Sequence, residues 1–177
     1  MIIIIAMLFA CKNKMSEIVS LDFNDTIPDI SAKDIEFTFS DSAMVQIRLS
    51  GPVMYAYEGE DSYMEFPEGF RVEFYDSAFN ITSTITGKYG IHFTEKKIME
   101  ARKNVVVTNY ETGERLDTEE LIWDQNKEVI YSNKFVKITS GDGVIYGDGM
   151  EAEQDFSKRR IINPSGEIEV KEEEGGS

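Results

Sequence analysis

The chain is poor in nearly every residue type that carries bond-making chemistry. Its 177 residues include one cysteine, Cys11, one histidine, His92, and one tryptophan, Trp123. A single cysteine excludes an intramolecular disulfide, and Cys and His together are too few for a zinc site. His92 could serve a triad only with partners supplied from elsewhere, and no Gly-x-Ser-x-Gly nucleophile elbow is present. Between Ile91 and Phe93 it reads as a residue of the surface or the core edge. No glycine-rich phosphate loop leads into a helix. Carboxylates are abundant, but no spacing singles out a catalytic pair. Basic side chains are scarce, with 18 Lys and Arg against 33 Asp and Glu, a net charge of -15. Such a chain repels phosphate backbones and anionic bilayers, so nucleic-acid binding is disfavoured. Only 4 Pro, spread Gly and 41% apolar residues argue for one folded domain rather than a disordered chain.

Long apolar runs are also missing. The one candidate, Met1 to Ala10, is half of the ~20 residues that span a bilayer. It ends Leu8-Phe9-Ala10-Cys11, an apolar residue three before the cysteine and a small one just before it. That pattern is expected of a lipoprotein signal, with residues 1–10 cleaved and Cys11 carrying the lipid. The positive charge usual ahead of such a run is absent, which a start further upstream would supply. The competing reading is a buried N-terminal strand with a packed thiol. Lys12-Asn13-Lys14 follows at once, which a core strand would not favour. Residues 11–31 read as a polar tether with a short helical turn at 16–21. A domain over 32–171 and an acidic tail, 172–177, follow.

Within the domain the period is two from Ile35 onward. Val45, Ile47 and Leu49 alternate with polar neighbours, which predicts a strand with one buried face. Further strands are expected at 53–57, 71–74, 81–86, 89–93, 105–109, 120–123, 129–131, 135–139, 144–146, 161–162 and 167–171. Short turns rich in Gly, Asn and Asp separate them, as hairpins require. The one helix expected is short, at 95–102. Strands every 8–12 residues without βαβ alternation predict an all-β fold. Gly141-Asp142-Gly143 and Gly147-Asp148-Gly149 resemble calcium-loop fragments, but a repeat of six fits neither the nonapeptide nor the twelve-residue loop. They read as turn and bulge glycines.

The most specific stretch is Thr118-Glu119-Glu120-Leu121-Ile122-Trp123-Asp124. It continues through Val129-Ile130-Tyr131-Ser132-Asn133-Lys134-Phe135-Val136-Lys137-Ile138 and Ile145-Tyr146-Gly147-Asp148-Gly149-Met150. Phe66-Pro67-Glu68-Gly69 and Ala101-Arg102-Lys103-Asn104-Val105-Val106-Val107 precede it. Over roughly residues 30–170 these segments resemble the LptC family of lipopolysaccharide export proteins, in the form found in Bacteroidetes-like bacteria. The resemblance implies a twisted, open antiparallel β-jellyroll with an apolar groove and no cofactor. It implies that lipopolysaccharide acyl chains are received from an inner-membrane ABC transporter and its permease subunits. They would pass to an LptA-like periplasmic bridge protein stacked edge to edge. The family's usual tether is a transmembrane helix, and here a lipid on Cys11 would stand in for it.

Alternation nominates the inward positions: Ile47, Leu49, Val72, Phe74, Ile85, Ile91, Phe93, Val105, Val107, Leu121, Trp123, Val136 and Ile138. Each is equally readable as an ordinary sandwich core residue. The last strand, Glu167-Ile168-Glu169-Val170, alternates charge with apolar residues, which blunts an edge or flanks one meant for a partner. The alternative function is a lipoprotein β-sandwich that binds glycan or another protein.

Overall fold

The computed structural model describes residues 27–41, 44–153 and 158–168. Cys11, the lipidation site expected from sequence, the part of the expected tether before residue 27, and Glu169, Val170 and the expected acidic tail lie outside the described residues. All regular structure among the described residues is strand, in one hydrogen-bonded antiparallel network.

The strands are β1 (Ile30–Asp41), β2 (Met44–Tyr57), β3 (Tyr63–Phe66), β4 (Phe70–Tyr75), β5 (Ile81–Gly87), β6 (Tyr89–Phe93) and β7 (Ile98–Asn109). Then come β8 (Arg115–Asp124), β9 (Val129–Ser132), β10 (Val136–Ser140), β11 (Gly143–Gly147), β12 (Gly149–Glu153), β13 (Arg159–Ile162) and β14 (Ser165–Ile168). Three of them, β2, β7 and β8, are long because each serves two sheets, and β1 is long because it pairs along nearly all of β2. The N-terminal half of β2 pairs with β4 and its C-terminal half with β3. Similarly, β7 pairs with β6 and then β5, and β8 with β10 and then β9. One sheet therefore runs β2, β4, β5, β7, β8, β10, β11, β14. The other runs β2, β3, β6, β7, β8, β9, β12, β13. The two face each other, because one buried cluster draws Val105, Leu116, Val136 and Ile138 from the first and Ala101, Leu121, Ile130 and Met150 from the second.

Every passage between the sheets lies on one seam, and its residues suit tight bends. In β7 the passage is a bulge in which Lys103 and Asn104 both take positive φ. Gly69 has φ +95, and a Cβ there would sit 2.7 Å from the Gly87 carbonyl oxygen. Successive passages thus stack backbone on backbone, and the Lys88 N–H donates to the Lys103 carbonyl at 2.9 Å. The passage of β8 lies between Thr118, its last partner of β10, and Ile122, its first partner of β9. Thr118 is buried and its hydroxyl donates to the Phe135 carbonyl at 3.0 Å and meets Ser132 Oγ at 3.1 Å. That fixes β8 to the passage between β9 and β10.

The expected helix at 95–102 is not formed. Residues 94–97 make a turn with positive φ at Lys97, and Ile98 onward is β7. Good helix formers there are overridden by pairing on both edges, with β6 and β8. The strands β1, β3 and β12 and the first half of β7 are additions to the strands named from sequence.

Candidate functional site

Cross-strand partners share a face, so register assigns every side chain to the interior or the outside. On the first sheet one row runs Phe37, Leu49, Val72, Ile85, Val107, Leu116, Ile138 and Ile145, each paired with the next. Leu116 and Ile138 belong to the buried cluster, which makes this the inner face. Phe39, Ile47 and Phe74 extend it toward the hairpin tips. Val105 and Val136 lie on its seam side, both paired with Thr118. On the second sheet the inner row is Ala56, Met64, His92, Met99, Trp123, Ile130 and Ala152. Leu121 pairs with Ala101 nearer the seam.

Eleven of the thirteen nominated positions therefore face the interior; Ile91 and Phe93 do not. Ile91 stands opposite Glu65 and Glu100, and Phe93 opposite Tyr63 and Ile98, all on the outer face. Alternation along β6 had marked the more apolar set as inward. The inner set is instead Gly90 and His92. Gly90 lies under Phe70, where a Cβ would come within 2.7 Å of the ring. Phe93 joins an outer aromatic patch: Tyr57 stacks on Tyr63 at 4.5 Å, and Lys96 sits over Phe93. Phe37, Phe39, Met64, Met99 and His92 are interior positions not nominated from sequence.

The interior changes character along its length. Around β7 to β12 it is sealed: Val105 is 1% exposed, Val136 0% and Met150 2%. At the β1 and β2 end the same inner face is wet. Phe37 is 38% exposed and Phe39 60%, while Ile47, Leu49, Val72 and Phe74 are half-buried. A closed core thus grades into an open apolar trough. Contiguous exposed apolar surface of this kind marks a binding surface.

At the sealed end an ion pair ties the two sheets together across the mouth. Arg159 of β13 shares the inner face with Ala152. It donates two hydrogen bonds, at 2.7 and 2.6 Å, to Glu114 in the turn between β7 and β8. The Arg159 guanidinium holds the Glu114 carboxyl below the usual carboxylate range, and Glu114 raises Arg159 in turn.

In the inner row of the second sheet from Ala56 to Ala152, His92 and Trp123 are the side chains with polar atoms; Ser132 is buried opposite Met150 on the same face. Burial lowers the His92 imidazole below its ordinary value, so it is neutral near pH 7. The indole N–H of Trp123 is buried and has no hydrogen-bond partner among the described residues. Tyr89, by contrast, is tied to Glu65 and is pushed up to about 12, first by burial and then by that hydrogen bond. Among the described residues no cluster of three or more His, Cys, Asp or Glu is arranged to hold a metal ion. No helix there is long and apolar enough to cross a membrane.

At the sheet edges, β1 pairs only with β2 and β14 only with β11 among the described strands. Glu167 and Ile168 lie on β14, opposite Val144 and Gly143.

No curated protein matches the chain closely enough to be counted a relative. A family model described as lipopolysaccharide-assembly, LptC-related, matches residues 1–163. With an all-β jellyroll and a match over most of its length, this chain belongs to the LptC-related family, and its role is in lipopolysaccharide transport.

Proposed function

We propose that the protein is a membrane-tethered periplasmic carrier that holds lipopolysaccharide by its acyl chains in the open end of the trough. The observation that supports this most directly is the unbroken apolar row from Phe37 to Ile145, exposed at Phe37 and buried at Leu116 and Ile138. Each CH₂ withdrawn from water contributes ~0.8 kcal/mol, so a few acyl carbons per chain suffice for retention. The same non-directional term makes transfer to a similar groove nearly neutral in free energy.

In this reading the chains arrive from the permease subunits of an inner-membrane ABC transporter and leave to an LptA-like bridge protein. The free edges of β1 and β14, the latter carrying Glu167 and Ile168 with Glu169 and Val170 beyond it, would be the places where strands of like-folded partners add. A lipid on Cys11 would keep the domain at the inner membrane. No covalent chemistry is needed, which matches a non-enzymatic role.

A glycan-binding reading is favoured by one feature, the outer patch of Tyr57, Tyr63 and Phe93. The two readings separate in a competition experiment. Purified full-length protein is mixed with labelled lipopolysaccharide and challenged with its deacylated polysaccharide or with a fatty acid. The carrier reading expects displacement by the fatty acid only. Displacement by polysaccharide alone would overturn it in favour of the outer patch.

A further inference from the structure

The inner face of the second sheet is not uniformly apolar, and the exception has a definite chemistry. Met64, His92, Met99 and Trp123 are consecutive cross-strand neighbours on that face. Three strand spacings of ~4.8 Å make the row about 14 Å long. Trp123 packs against the buried cluster while its ring stays partly exposed. It therefore stands at the boundary between sealed core and open trough. Its indole N–H can only donate, and among the described residues nothing accepts from it. A buried donor left unmade is costly, whereas phenylalanine would supply similar apolar bulk without one. A pure hydrocarbon would leave that N–H equally unsatisfied. An acceptor delivered from outside would not. Its neighbour Met99 is flexible and can yield to admit one, and neutral His92, between Met99 and Met64, adds a second polar group on the same face.

We propose that Trp123 donates a hydrogen bond to the ester or amide carbonyl at the head of an acyl chain, so that the trough recognises acyl groups rather than hydrocarbon. The inference rests on the trough reading above and adds to it a polar reading point. It fixes the depth of the ligand: the carbonyl lies at the Trp123 level and the chain runs toward Leu49 and Phe39.

The test uses a matched pair, 1-decanoylglycerol and its ether analogue 1-decylglycerol, which differ by the carbonyl. The wild-type protein is expected to bind the ester about three- to tenfold more tightly, the span of one net hydrogen bond. Trp123→Phe should bind both alike, at the affinity of the ether. Because Trp123 is the sole tryptophan, ultraviolet resonance Raman of the indole N–H reads the same contact without a mutation. Its hydrogen-bond-sensitive band should shift with the ester and stay put with the ether. Equal wild-type affinities, an unmoved band with bound ester, or an ester preference retained by Trp123→Phe would each overturn the Trp123 assignment while leaving the trough intact. If the wild type binds neither ligand, the trough reading fails and the assignment with it.

Discussion

Val136 and Phe39 face the same interior, and the account requires that their truncation behave in opposite ways. Val136 is 0% exposed, lies between Thr118 and Gly147 in the ladder, and sits in the sealed cluster. Val136→Ala removes two methyl groups, a transfer loss of about 1.6 kcal/mol at ~0.8 per carbon. The surrounding strands are held on both edges and can collapse only partly, so a cavity contribution brings the total to about 2–3 kcal/mol. For a chain of this length that lowers Tm by roughly 5–10 °C. Phe39 is 60% exposed, so most of its ring is in water already and Phe39→Ala should cost under about 0.5 kcal/mol. Acyl binding should show the reverse order, with Phe39→Ala weakening capture of a fluorescent fatty acid severalfold and Val136→Ala leaving it near wild type. Thermal unfolding by circular dichroism and a fatty-acid titration on the same samples give all four numbers. Equal Tm losses, or fatty-acid binding that falls with Val136→Ala and not with Phe39→Ala, would refute the division into sealed and open ends.

Two further outcomes follow from the seam and the clasp. Gly69→Ala should destabilise by about 2–3 kcal/mol, because φ is +95 and the added Cβ meets the Gly87 carbonyl; a urea midpoint near wild type would show that the stacked passages are looser than described. Glu114 has a folded-state carboxyl below its unfolded value, so its pairing with Arg159 stabilises above about pH 4–5 and is lost as pH falls through the lower folded value. Both side chains are partly exposed, 38% and 27%, which limits the effect to about 0.5–1 kcal/mol. Wild type should exceed Arg159→Gln in stability at pH 7, and the gap should close toward pH 3; a gap that persists there would mean the clasp is not electrostatic.

Much of the fold was legible because strand periodicity is a local property. Ile47, Leu49, Val72 and Ile85 declared both their strands and their common face. What alternation cannot say is which of two faces is inside. On β6 the outer residues Ile91 and Phe93 are more apolar than the inner Gly90 and His92, so hydrophobicity pointed the wrong way. The reason lies in tertiary packing: Phe70 fills the space over Gly90, and Phe93 gains cover from Tyr63 and Lys96 outside. The residues 95–102 failed for a related reason, since Glu95-Lys96-Lys97 favours a helix locally while β6 and β8 claim Ile98 to Arg102 from both sides. Phe37 and Phe39 were within reach, as they continue the alternation begun at Ile35. Sequence nominates Trp123 as inward, yet that its N–H finds no acceptor among the described residues is a property of surroundings that no sequence pattern displays.

Photocrosslinking in cells, with a light-activated residue at position 49 or position 91, tests the central claim most directly. Sequence alternation marks both positions as inward; the register puts Leu49 inside the open trough and Ile91 outside it. The account predicts lipopolysaccharide adducts at 49 and none at 91. Adducts at 91 without adducts at 49 would contradict it.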